Sequence, residues 1–72
     1  IYMVQTAQEN LSKNLRKYRL AKKYTQDKLS EICGISCDYL SEIERGKRFP
    51  GMKRLDMLAE ALGVDTYKLI KP

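Results

Sequence analysis

Apolar residues recur along this chain every three or four positions, the spacing that places them on one face of an amphipathic helix. No stretch of useful length alternates apolar with polar residues as a β-strand would. The pattern predicts five helices joined by short turns, at residues 6–23, 25–33, 36–45, 52–62 and 65–70. We therefore expect an all-α fold in which residues 1–72 form a single domain with its core at about residues 8–70.

Polar residues at four of the predicted helix starts support these boundaries. Thr6 is followed three residues later by Glu9, the spacing of a capping box, in which each side chain accepts the other residue's backbone N–H. Thr25, Ser36 and Asp65 each stand between an apolar residue and an apolar position of the first turn. Each is therefore expected to be the N-cap of its helix.

The apolar stripes of the helices predict the core. The fourth helix is expected to open at Pro50-Gly51 and to close at Gly63. The residues expected to be buried are Leu11, Leu15 and Tyr18 in the first helix, Leu29, Ile32, Ile35, Leu40 and Ile43 around the second and third, and Met52, Leu55, Leu58, Ala59 and Leu62 in the fourth.

The segment TQDKLSEICGISCDYLSEIERG contains two short helices separated by a single glycine. Gly34 is expected to end the first of them in a left-handed backbone conformation, which glycine adopts without steric cost. Two helices joined by so tight a turn must cross steeply. Burial of Leu40 and Ile43 then directs a polar set outward on the third helix: Cys37, Asp38, Ser41, Glu42 and Arg45.

Charge gives this polar face a candidate partner. The 72 residues carry a formal net charge of +5, which fits either a nucleic-acid-binding protein or a merely soluble basic domain. Gln26 opens the helix before the glycine, where its side chain and the first amides can meet a phosphate. Cations follow the outward helix: Arg45, Lys47, Arg48, Lys53 and Arg54. Positive charge on both sides of a polar helix favours DNA-groove binding over a solvated surface helix.

Several functions are disfavoured by what the chain lacks. The chain has no histidine, and its two cysteines, Cys33 and Cys37, are only four positions apart. Neither a zinc site of the usual Cys/His type nor a catalytic cysteine with a histidine base is therefore expected, and no cofactor is indicated. Free thiols indicate a reducing, cytoplasmic setting, and neither a secretory leader in IYMVQTAQ nor a membrane span is expected. Phe49 and the scattered tyrosines offer no stacking platform for RNA.

Four motifs in order, LRKYRLAKKYTQDKL, CGIS, LSEIERGKRFP and LAEALGV, resemble the phage repressor and Cro-type (XRE-type) helix-turn-helix regulators. The resemblance runs from about Leu11 to Ile70 and implies a five-helix, lambda-repressor-like bundle. It implies base-edge contacts from Cys37, Asp38, Ser41 and Glu42. The implied phosphate contacts are made by Thr25, Gln26, Ser36, Arg45, Lys47 and Arg48.

The resemblance also implies that Arg19 and Glu44 form a structural ion pair rather than a DNA contact. Asp38 and Glu42 depart from the family pattern, in which glutamine or basic residues are frequent. A carboxylate repels phosphate but accepts from the amino group of cytosine, so these two residues either read C-containing steps or reject wrong sequences.

The function indicated is that of a sequence-specific regulator of transcription that binds double-stranded DNA, most simply a repressor. The alternative is a protein-interaction module that has kept the fold. A single helix of this size reads few base pairs, so a homodimer on two half-sites is expected. Tyr67 and Ile70 are the candidate dimer contacts, unless they only close the bundle.

Overall fold

The structure, a computed structural model, describes residues 6–72. Within that range the chain forms five helices and no strand: α1 (Ala7–Ala21), α2 (Gln26–Cys33), α3 (Cys37–Glu44), α4 (Met52–Leu62) and α5 (Thr66–Ile70). The predicted all-α, five-helix fold is confirmed. The first five residues of the predicted domain, and with them most of the stretch judged to contain no leader, lie outside the described residues.

Side-chain caps fix the starts of the first three helices. The Thr6 hydroxyl accepts from the Glu9 amide at 3.2 Å, and the Glu9 carboxylate accepts from the Thr6 amide at 3.1 Å, as the capping-box spacing predicted. Thr25 and Ser36 each accept, through the hydroxyl, from the amide three residues on, at 2.9 and 3.1 Å. Each helix therefore starts with one of its free N–H groups satisfied.

Two helix ends depart from the prediction, one in its cap hydrogen bond and the other in its position. Asp65 occupies the N-cap position of α5 but makes no side-chain cap hydrogen bond. The Thr66 hydroxyl instead donates to the Asp56 carboxylate at 2.7 Å, which ties the start of α5 to α4. The end of α1 was placed two residues too late, because Lys23 adopts a left-handed backbone (φ 62°) that an α-helix does not allow.

The core draws side chains from all five helices. Its buried apolar residues are Leu11, Leu15, Leu29, Cys33, Ile35, Leu40, Ile43, Leu55, Leu58, Ala59, Leu62 and Leu69. Helix α1 packs against α3 and α5, while α2 packs against α3 and α4. Helix α3 is thus held between the first two helices, with one side left open.

Two residues predicted to be buried are exposed. Ile32 is 43% exposed, because Leu29 and Cys33, one turn apart, take the inward stripe of α2 and leave Ile32 at its edge. Met52 is 64% exposed. It is the first residue of α4, and helical side chains lean toward the N-terminus, so its thioether projects past the start of the helix.

Gly34 makes the turn between α2 and α3 in the predicted left-handed conformation, with φ 77°. Its amide donates to the Ser30 carbonyl at 2.9 Å and closes the end of α2. A Cβ at this position would meet nothing within 4 Å, so backbone conformation rather than crowding favours glycine here.

Over residues 6–72, no helix is both long and apolar enough to cross a membrane.

Candidate nucleic-acid interface

The residues assigned to base reading lie on the open side of α3. Asp38 is exposed in the first turn, and Cys37, Ser41 and Glu42 are half-buried. Leu40 and Ile43 face the core, so the alternation of buried and open positions follows the helical period. The face is polar and carries two carboxylates.

The C-terminal end of α3 is fastened to α1. The Ser12 hydroxyl donates to the Glu44 carbonyl at 2.6 Å, and the Gln8 side-chain amide donates to the Gly46 carbonyl at 2.8 Å. Both acceptors belong to the last turn of α3 and its exit, where helix carbonyls have no partner within the helix. These contacts fix the angle at which α3 leaves the bundle.

A nearly buried ion pair reinforces this anchor. Arg19 donates from Nε to Oε2 of Glu44 at 2.7 Å and from a terminal nitrogen to Oε1 at 3.1 Å. The two side chains are only 10% and 6% exposed. Hydrogen bonding to the Glu44 carboxylate raises the pKa of Arg19. Arg19 also donates to the Tyr24 carbonyl at 2.8 Å, so it joins α1, the loop before α2, and α3.

Gln26 lies beside α3 at the start of α2. Its side-chain nitrogen donates to Oε1 of Glu44 at 3.2 Å, and its side-chain oxygen is 4.0 Å from the Cys37 Sγ. Hydrogen bonding to the Asp27 carboxylate raises the pKa of the Cys37 thiol, so this cysteine is a neutral thiol at neutral pH. Gln26, which is assigned to phosphate binding, is therefore oriented by Glu44 at the C-terminal end of α3 and by Cys37 at its N-terminal end.

The basic residues after α3 fall into two groups. Arg45 and Lys47 are exposed, and within residues 6–72 neither forms an ion pair with a carboxylate. Arg48 behaves differently, because its Nε donates to Oε1 of Glu42 at 2.7 Å. That hydrogen bond raises the pKa of Arg48. Two of the three residues thus leave their charge free for an anion, while the third is joined to the reading face.

Tyr39 was not identified from the sequence as part of this surface. The guanidinium of Arg48 lies 4.8 Å from the centre of its ring, and that of Arg54 lies 5.1 Å from it. Both distances are within cation–π range. The arginines come from the loop after α3 and from α4, so no periodicity within one helix could have revealed the contact.

The remaining assigned residues have structural roles that are compatible with phosphate contact. The Thr25 and Ser36 hydroxyls cap α2 and α3, and both residues are exposed.

Cys33 and Cys37 are both free thiols. Among the described residues, no three His, Cys, Asp or Glu side chains are grouped as a metal ion would require.

Comparison with known proteins identifies relatives of this chain. A family model described as "Helix-turn-helix" (HTH_3) matches residues 15–69. A hypothetical transcription factor from Neisseria meningitidis is 34% identical over 86% of this chain, which spans only 58% of that relative. An uncharacterized HTH-type transcriptional regulator from Sinorhizobium fredii is 41% identical, and the match covers 82% of this chain and 77% of that protein.

Solved structures agree with these relatives. The crystal structure of the hypothetical transcription factor NHTF from Neisseria matches with a TM-score of 0.89 at 32% identity, over 94% of this chain and 78% of that one. SinR, a master regulator for biofilm formation solved in complex with DNA, matches with a TM-score of 0.82 at 29% identity, over 85% and 98%. The restriction-modification controller C.Esp1396I, a tetramer in complex with its natural 35 base-pair operator, matches with a TM-score of 0.79 at 28% identity, over 88% and 83%. The resemblance drawn from the motifs is confirmed, and the chain belongs to the HTH_3 helix-turn-helix family, the XRE type.

Proposed function

We propose that this chain is a sequence-specific regulator of transcription that acts in the cytoplasm by placing α3 in the major groove of double-stranded DNA. The observation that carries the proposal is the open polar face of α3, presented next to Arg45 and Lys47, whose charges are free. The relatives named as transcription regulators and the two DNA complexes support it. Repression is the simplest outcome, because a protein occupying its site blocks polymerase.

Two sets of residues divide the work in this proposal. Cys37, Asp38, Ser41 and Glu42 read base edges, and the two carboxylates suit the amino group of cytosine. A second set holds the backbone: Thr25, Gln26, Ser36, Arg45, Lys47 and Arg48. Exposed hydroxyls and amides at the starts of α2 and α3 suit phosphate oxygens, since helix N-termini carry partial positive charge.

The proposed assembly is a homodimer that contacts itself through α5. Tyr67 is 57% exposed and Ile70 is half-buried, whereas Leu69 fills the core, so the first two are available to a second copy. A dimer would present two copies of α3 to half-sites about one helical turn apart. Sedimentation equilibrium of the free protein and of its complex tests this. A single protomer bound to a selected site that lacks inverted symmetry would contradict the dimer. Tyr67→Ser is expected to weaken the association of the two copies.

The DNA-binding proposal is tested by selecting bound duplexes from a random library and then measuring affinity against salt concentration. Arg45→Ala and Lys47→Ala are each expected to weaken all sequences alike and to reduce the salt slope by about one unit. Lys13→Ala is the charge-matched control, since Lys13 is exposed on α1 and is not among the residues proposed to contact DNA. No enriched sequence, together with salt slopes that neither variant changes, would favour the protein-interaction alternative.

Asp38→Ala and Glu42→Ala test whether these two carboxylates read base edges. Each is expected to relax discrimination at particular base pairs by about 1–3 kcal/mol where the side chain makes a direct contact. Non-specific affinity should rise slightly, because each change removes a negative charge close to the phosphates. An unchanged selected sequence in both variants would place these carboxylates outside the contact.

A further inference from the structure

A cluster of four side chains lies along one edge of the open face of α3 and includes Glu42, one of the proposed reading residues. It consists of Tyr39 and Glu42 on α3, Arg48 in the following loop, and Arg54 on α4. We propose that Arg48 is a positioning residue that holds the Glu42 carboxylate in a fixed orientation and so sets base discrimination where Glu42 meets the DNA. The inference rests on the DNA-binding function proposed above.

The geometry leaves Glu42 both held and available. Arg48 Nε donates to Oε1 at 2.7 Å, the two side chains are 49% and 38% exposed, and no other hydrogen bond to the Glu42 carboxylate occurs among the described residues. Oε2 therefore keeps its capacity to accept from a base. Because water weakens an ion pair at this exposure, the contact of the Arg48 guanidinium with the Tyr39 ring is needed to keep it in place. A free glutamate loses rotamer freedom when it binds, whereas one already held loses less, so its contact with the correct base is better defined.

The ion pair also changes the electrostatics of the groove face. An isolated carboxylate on a helix in the major groove is repelled by phosphates on both strands. The Arg48 guanidinium offsets that charge at contact distance, while leaving the oxygen that a cytosine amino group would use. Glu42 can then act as an acceptor with less electrostatic opposition to docking.

Arg48 is itself held, and the feature that holds it requires an arginine. Its guanidinium lies 4.8 Å from the Tyr39 ring centre while its Nε faces Glu42. Arg54 lies 5.1 Å from the same ring and brings α4 into the cluster. A planar guanidinium can stack and donate in plane at once, whereas a lysine ammonium is a point charge on a flexible stem.

Phosphate contact, the role proposed above for Arg48, can coexist with positioning, but the two roles differ in their sequence dependence. A lost phosphate contact weakens every duplex by the same factor. A lost positioning contact lowers affinity mainly for the preferred base at the pair that Glu42 reads. It also has no further effect once Glu42 has been replaced, because its action passes through that side chain.

The experiment measures affinity for the selected site and for all of its single-base variants. The proteins are wild type, Arg48→Ala, Arg48→Lys, Glu42→Ala, the double variant Arg48→Ala/Glu42→Ala, and the charge-matched control Lys13→Ala. We expect Arg48→Ala to reduce discrimination about tenfold at the base pair that Glu42→Ala also affects. Arg48→Lys should recover little of it, and adding Arg48→Ala to Glu42→Ala should cause no further loss of discrimination.

A uniform loss at every base, undiminished in the Glu42→Ala background, would overturn the inference and make Arg48 a phosphate ligand only. Melting temperatures are measured in parallel, and a positioning role requires them to stay close to wild type while discrimination falls. Without DNA, the NMR signal of the Arg48 Nε–H should exchange more slowly in wild type than in Glu42→Ala. If that difference is present but the wild type selects no sequence, the proposed function fails and this inference with it. If the wild type selects a site that Arg48→Ala reads equally well, only the inference fails.

Discussion

Breaking the ion pair between Arg19 and Glu44 should destabilise the fold more than any exposed charge change can. Glu44→Leu removes the carboxylate that receives two hydrogen bonds from Arg19, at 2.7 and 3.1 Å. The Arg19 side chain is 10% exposed, so its charge would stay in the interior without an anion. It would keep its hydrogen bond to the Tyr24 carbonyl at 2.8 Å, which softens the loss.

The size of the effect follows from this geometry. Removing one partner of a buried pair costs about 3–5 kcal/mol, and the surviving contact to Tyr24 places Glu44→Leu near the lower end, at about 3 kcal/mol. A 72-residue domain has about 4–11 kcal/mol of stability in total. The melting temperature should then fall by about 12–24 °C. At the lower limit of the stability range about 1 kcal/mol would remain, which leaves roughly one molecule in six unfolded at room temperature.

A double-mutant cycle isolates the interaction. Glu44→Leu, Arg19→Met and the double variant are compared by urea unfolding with the m-value checked for constancy. The double variant should be more stable than the sum of the single losses predicts, by about 2 kcal/mol, because neither charge remains unpaired. Some loss should persist in it, since the Tyr24 carbonyl and the Gln26 amide each lose a partner.

The pair between Lys28 and Glu31 is the matched control. Its side chains are 53% and 75% exposed and its nitrogen–oxygen distance is 3.4 Å, so Glu31→Ala should cost well under about 1 kcal/mol. Additive and equally small losses for the Arg19 and Glu44 variants would refute the reasoning, because they would mean that water screens the pair as it screens the control.

Three further predictions concern the helix ends. Thr25→Ala should lower the free energy of unfolding, measured in urea, by about 1 kcal/mol because the Thr25 hydroxyl caps α2. Asp65→Ala should lower it clearly less, because Asp65 makes no cap hydrogen bond, and equal losses would contradict this. Asn14→Ala should cost about 1–2 kcal/mol and speed amide exchange in α5, because its side-chain nitrogen lies 2.8–3.1 Å from three carbonyls at the end of that helix; unchanged exchange would contradict it. Hydrogen bonding to the Thr6 backbone lowers the pKa of Glu9. The stability that the Glu9 carboxylate contributes is therefore complete above the pKa of glutamate in the unfolded chain, and it is lost as the pH falls through the lower pKa of the folded state. Glu9→Gln should flatten this part of the pH–stability curve.

Signals that act within a few residues carried most of the fold prediction. The capping box at Thr6, the hydroxyl caps at Thr25 and Ser36, and the left-handed turn at Gly34 depend only on the local backbone, so a single sequence contains them. The same signals placed α3 and its open face. Arg19 and Glu44, 25 positions apart, were matched only through the family resemblance.

The errors arise where tertiary packing decides. Helical spacing alone could not tell that Ile32 lies at the edge of the buried stripe and Met52 beyond its end, because spacing does not show how much of each helix its neighbours cover. The contact of Tyr39 with Arg48 and Arg54 depends on how α4 returns beside α3. The sequence named the two arginines as cations near DNA but offered no signal that they share a ring.

The two carboxylates of the proposed reading face differ in how firmly they are held, and we expect this difference to decide how each would contact DNA. Asp38 is exposed in the first turn of α3, and no side-chain hydrogen bond or ion pair holds it among the described residues. Glu42 is half-buried and hydrogen-bonded to Arg48 at 2.7 Å, two residues before Glu44, whose carboxylate pairs with Arg19 of α1. Side-chain contacts therefore increase along α3 toward its C-terminal end. A side chain that is already ordered gives up less entropy on binding and tolerates less displacement. Glu42 therefore suits strict selection of one base, whereas Asp38 suits adaptable contacts or the rejection of wrong sequences.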